Sequence, residues 1–218
     1  MKHRTTRYLA AIPLGIFIVL AGCGTNDVQT TDAPAYRPSS NGGAETSFRE
    51  DLGSTSITVF PTLVRDFRGS SYSPLSRTTI AKFLEIEKLA TVVESDDHVA
   101  FSAPAGTTQQ DHFQQNMSLF AESLRAEPLT TEYALLVECL VTPMKSGGEA
   151  VGGIHFYLLN EEGRDAFSFL MNAHHRLFNQ ASLKTETASD TAREQLIDRT
   201  TQIVIEAFRR QLGLKAQE

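Results

Sequence analysis

The chain has 218 residues, a formal net charge of -6 and two cysteines. That length suffices for one medium domain plus a flexible segment. An acidic balance without clustered Lys and Arg argues against binding to a phosphate backbone, so nucleic acid is not an expected partner.

Lys2, His3, Arg4 and Arg7 form a basic start, followed by an apolar run over residues 9–20 and by Leu20-Ala21-Gly22-Cys23. The run is shorter than the ~20 residues of a comfortable membrane span. The closing tetrapeptide resembles the lipobox of bacterial lipoproteins, in which the Cys thiol is acylated and the preceding peptide bond is cut. The resemblance implies a signal peptide over 1–22 and an anchor to membrane lipid through Cys23. An uncleaved anchor or an ordinary secretory signal are the alternatives. Gly24 follows Cys23, where the Asp that retains many such proteins at the inner membrane is absent. The expected location is therefore the cell membrane, facing the periplasm or exterior, and the outer membrane if the source is diderm.

Residues 23–54 read as the lipidated Cys and a tether rich in Thr, Asp, Ser, Gly, Pro and Asn. Its few large apolar side chains do not offset the entropy of ordering. Some thirty flexible residues reach ~30 Å, enough to hold a domain clear of headgroups. An ordered cap on the domain is the other reading of this segment. The domain itself is expected over 55–218.

Ser56-Ile57-Thr58-Val59-Phe60 is the first strand signal and Pro61 ends it. A Gly- and Ser-rich loop over 65–73 leads to a helix opening at Pro74 or Ser76, with Ile80, Phe83 and Leu84 on its buried side. Thr91-Val92-Val93-Glu94 reads as a short strand. Phe113, Met117, Phe120 and Leu124 then put one apolar stripe on a helix over about 110–125.

Residues 133–142 are apolar at nearly every position, as befits a strand covered on both faces at the sheet centre. Cys139 lies in that run, with no basic neighbour to lower its pKa, and reads as a small buried hydrophobe rather than a nucleophile. If Cys23 carries lipid, Cys139 has no partner for an internal disulfide. Residues 151–160 follow as the next strand. The segment 165–178 fits a helix by spacing, but the Glu161-Glu162-Gly163 turn favours a hairpin. Thr191-x-x-Glu194 has capping-box form before a long amphipathic helix that Gly213 ends. The expected fold is α+β (mixed α/β), a single sheet of about five strands with three helices mainly on one face, in the order β-α-β-α-β-β-β-α.

On Ile57 to Pro61, the helix running into Thr91 to Glu94, and the hairpin Phe156 to Gly163, the domain resembles the small α/β domain of several envelope proteins. These are the curli-secretion pore lipoproteins, the lipoprotein activators of penicillin-binding proteins and the amino-terminal domain of the Tol-system propeller protein. The resemblance implies binding of other proteins or self-association, hence a scaffolding or assembly role.

Chemistry is sparse. His174 and His175 are adjacent and so diverge on either a strand or a helix. His155 could pair across the hairpin with one of them, and Asp165 or Glu138 could add oxygen. Fewer than three well-spaced ligands make His155 and His174 weak metal candidates beside ordinary surface or cross-strand histidines. No cofactor is expected. The sequence contains no nucleophile elbow, phosphate-binding loop or zinc-protease motif. Arg65, Phe67, Arg68 and Tyr72 in the 65–73 loop are the candidate protein contacts, Arg and Tyr being favoured at interfaces. The expectation is a non-catalytic, protein-binding envelope module. Its rival is a small-ligand or metal-binding domain near the second hairpin, with or without hydrolytic activity.

Overall fold

The computed structural model describes residues 42–66, 69–98 and 109–214. The apolar run at 133–142 becomes β5 (Tyr133–Pro143), which organises, among the described residues, a seven-stranded mixed sheet. Along one edge of β5 run β1 (Ser56–Val59) and then β2 (Thr62–Asp66), both parallel to it. Between them the Phe60 N–H still bonds to the Leu135 carbonyl at 2.9 Å, while Pro61 has no N–H to offer. Ile57 stands opposite Tyr133 and Leu63 opposite Glu138, so the β1–β2 path holds one residue more than β5 and bends there. Outside β2 lies β3 (Gly69–Ser73), antiparallel, and outside β1 lies β4 (Thr91–Glu94), parallel. The other edge of β5 pairs antiparallel with β6 (Glu149–Asn160), which pairs in turn with β7 (Asp165–Met171). The hairpin at 165 is therefore the structure adopted, turning at Gly163 with φ +71°.

Alternation along β5 divides the core. Tyr133, Leu135, Val137, Cys139 and Val141 join a layer with α1 (Gly42–Asp51), α2 (Pro74–Ile86) and α5 (Asp190–Leu212). Ala134 and Leu136 meet α3 (Gln109–Ala126) on the opposite face through Phe113, Phe120 and Leu124. Three helices thus cover one face, and the helix expected over 110–125 covers the other. A short helix, α4 (Arg176–Gln180), follows β7. Hydroxyls stitch the first layer together: Ser76 on α2 bonds Thr62 on β2 at 2.7 Å and Thr201 on α5 at 2.6 Å.

Three expectations are corrected. Residues 42–54, read as the end of the tether, contain α1. Its Phe48 is fully buried, edge-on to Tyr133 at 5.2 Å and beside Phe167 and Phe208. Burying one Phe is worth ~2–3 kcal/mol, enough to order a polar segment that composition alone would leave loose. Second, the 65–73 loop is largely the β2–β3 hairpin. Val64 pairs with Ser71, and the Asp66 carboxylate accepts the Gly69 N–H at 3.1 Å across the turn. A polar edge strand lacks the hydrophobic alternation that would reveal it. Third, α5 starts at Asp190 with Ser189 as its cap, whose hydroxyl accepts the Ala192 N–H, so Thr191 and Glu194 do not form the capping box.

Among the described residues no helix is long and apolar enough to cross a membrane.

Candidate functional site

On the α3 face of the sheet, five polar side chains meet where an apolar layer would be expected. Glu138 points from β5 into this layer and is fully buried. Arg65 Nη1 donates to its Oε1 at 3.0 Å, Asn116 Nδ2 donates to both oxygens at 2.8 and 3.0 Å, and the Tyr157 hydroxyl donates to Oε2 at 2.6 Å. His155 Nδ1 lies 3.1 Å from Oε2, directly across the β5–β6 ladder. Phe113 closes the cluster from α3, stacked on the Tyr157 ring at 5.1 Å and edge-on to His155. Burial alone would push the Glu138 carboxyl up. The bond and charge of His155, with the Tyr157 and Asn116 bonds, outweigh it and hold the carboxyl at about 2. The loss of water on burial, and then the same carboxylate, push the Tyr157 phenol well up. His155 Nε2 and Asn116 Oδ1 are buried and have no hydrogen-bond partner among the described residues.

The opposite face carries an accessible feature, a groove between two helix starts. Ser73 caps α2, accepting the Ser76 N–H, and Pro74 fits the first helical position where no N–H is needed. This leaves Leu75 outside the buried stripe and 60% exposed. Facing it are the first turns of α5. Arg193 there reaches down to the Glu149 carboxylate, with Nε at 3.0 Å, and to Asp66 at 2.8 Å, tying α5 to β6 and β2. Those two carboxylates push the guanidinium pKa up. A cavity of ≈ 370 Å³ lies between Tyr72, Leu75, Arg193 and Ile197. A second, of ≈ 820 Å³ and more open, continues past Thr185 and Glu186, sharing Leu75, Glu194 and Asp198 with the first. Asp190, Glu194 and Asp198 repeat every four residues along this wall, all exposed and without an ion pair among the described residues.

No family model matches the chain, and no curated protein matches it. Among solved structures it is similar to the PelC dodecamer from Paraburkholderia phytofirmans, at 15% identity over 76% of this chain and 91% of that one, with a TM-score of 0.36.

The sequence-predicted residues scatter. Arg65 lies on β2 and joins the polar cluster, its side chain 14% exposed. Tyr72 lies on β3 with its ring stacked on His98 at 4.1 Å. Phe67, Arg68 and Cys23 lie outside the described residues. His155 faces Leu170 on β7, while His174 stands exposed in the turn beyond that strand and His175 is buried at the start of α4, so the hairpin does not pair them. Asp165 accepts from the Ser168 hydroxyl at 2.6 Å. Among the described residues no three His, Cys, Asp or Glu side chains are placed to hold a metal ion. Sequence reasoning missed Asn116 and Tyr157. The signal was present in the odd polar residue on each apolar element: Asn116 lies three residues from Phe113 on the buried stripe of α3, and Glu138 interrupts the most apolar strand.

Proposed function

We propose that the chain is a lipid-anchored cell-envelope protein whose domain acts as a non-catalytic binding, scaffolding or assembly module for a protein partner or a second copy of itself. The observation that carries the reading is Leu20-Ala21-Gly22-Cys23 placed behind a basic start and a short apolar run. Acylation of the Cys23 thiol ties the domain to a bilayer. With no Asp after Cys23, a diderm cell would send it to the outer membrane.

Two features of the domain support a binding role over a chemical one. The charged cluster around Glu138 is engaged with its own partners and sealed beneath α3, whereas an acid or base in catalysis must reach a substrate proton. A groove between packed helices, by contrast, is open among the described residues, and such a concave surface can receive a partner.

Mass spectrometry of the full chain recovered from its membrane tests the anchor. The expected amino-terminal fragment begins at Cys23 and carries a diacylglyceryl group. An intact Met1 or an unmodified Cys23 thiol would overturn it. Gentle solubilisation should then retain a protein at stoichiometric ratio, or the chain as an oligomer. A monomer under all such conditions speaks against the binding role.

A further inference from the structure

We infer that the groove between α5 and the start of α2 is the partner-binding surface, and that it takes a basic, amphipathic segment of another protein. This rests on the proposed binding role and gives it a place and a chemistry.

The α5 wall carries Asp190, Glu194 and Asp198 at four-residue spacing. Residues four apart on a helix are neighbours at ~6 Å, and like charges there work against the helix. Of the cations lining the groove, Arg193 is neutralised by Glu149 and Asp66, and Arg199 at its open end donates to the Lys184 carbonyl. Among the described residues Asp190, Glu194 and Asp198 have no ion pair, and they stand opposite Leu75, one of the few large apolar side chains left exposed there. An acidic wall facing an exposed Leu, with Ile197 beneath it, complements a segment that carries Lys or Arg about every 6 Å and an apolar side chain between them. That repeat is one turn of a helix or two residues of an extended strand.

Other occupants fit less well. Anionic headgroups would be repelled by the wall. A second copy would have to bring a basic stripe, yet the arginines at the far end of α5 are committed, Arg209 to Glu87 at 3.3 Å and Arg210 to Glu206 at 2.7 Å.

Two measurements on the full chain test this. The first is the affinity of a short synthetic peptide of alternating Lys and Leu, with alternating Glu and Leu as its control, at near-physiological salt. The double variant E194Q/D198N should bind the Lys peptide roughly tenfold more weakly, while E85Q/E122Q, equal in charge but away from the groove, should match the unmodified protein. Equal loss in both variants, or none in the first, overturns the inference. Because neither substituted carboxylate holds a partner among the described residues, the melting temperature of E194Q/D198N should not fall. L75S serves as the second variant should that expectation fail, and unchanged binding by it also overturns the groove.

The second is photo-crosslinking in the native membrane from position 75, with position 86, an exposed Ile on the far end of α2, as comparator. A basic, apolar peptide of another protein captured at 75 and lost in E194Q/D198N supports the inference. Capture at 86 alone removes the groove but leaves the binding role standing. Lipid or a second copy at 75 refutes the partner chemistry. No protein captured at either position removes both readings.

Discussion

Replacing Glu138 by Gln keeps the shape of the buried cluster and removes its charge. The amide nitrogen cannot accept, so the bonds from Arg65 and Asn116 to Oε1 and those from Tyr157 and His155 to Oε2 cannot all survive, and Arg65 loses its counter-charge. Breaking a buried ion pair from one side costs about 3–5 kcal/mol. The carboxyl itself offers an independent route to the figure: held at about 2 instead of the usual 4.5, it stabilises the fold by ~3 kcal/mol at neutral pH. Since this group titrates lower in the folded chain than in the unfolded one, that stabilisation is whole above about pH 4.5 and disappears as pH falls towards 2. Urea unfolding at pH 7 should show the midpoint of E138Q falling by roughly 1.5 M, for a slope of ~2 kcal/mol per molar. At pH 3 the gap between the two proteins should narrow. A loss below ~1 kcal/mol at pH 7, or a gap that is the same at both pH values, would show that the cluster does not depend on an ionised Glu138.

Phe48→Ala should cost ~3–5 kcal/mol by emptying the space between Tyr133, Phe167 and Phe208. Limited proteolysis should then cut within 42–51 faster than in the unmodified chain. Arg193→Met removes a guanidinium shared by Glu149 and Asp66. With that side chain about 29% exposed, the expected loss is only ~1 kcal/mol at low salt, and the melting-temperature difference should shrink as salt is added. Cys139 is buried, and burial pushes its thiol well up. It should ignore a thiol reagent at pH 8 in the folded chain and react at once in denaturant, whereas rapid labelling of the native protein would place it near solvent.

The elements legible in the sequence are those whose side chains are sorted by local period. The apolar run that becomes β5, the alternating start of β1, the stripe of α3 and the stripe of α5 with its terminating Gly213 each sit within two residues of where the pattern puts them. The β2–β3 hairpin escaped because Ser70, Ser71 and Ser73 hold their places through backbone pairing with β2, which composition does not report. Helix α1 escaped because the partners that order it, the rings around Phe48, the Gln211 carbonyl that Arg49 reaches and the Tyr133 hydroxyl on Asp51, lie more than eighty positions away.

For the sites the same division holds. A short apolar run, its charged flank and a closing Cys23 are contiguous in the chain, and a signal of that kind is read by machinery that meets the chain before it folds. Hence the anchor is proposed from sequence and needs no tertiary contact. The meeting of Arg65, Asn116, Glu138, His155 and Tyr157 was decided only by strand register and by the packing of α3, since a one-residue slip of β6 on β5 would turn His155 and Tyr157 to the opposite face. Likewise the spacing of Asp190, Glu194 and Asp198 is visible in the chain, but that Leu75 faces them is not, because only the docking of α2 and α5 on a common sheet brings those two helix starts to one groove.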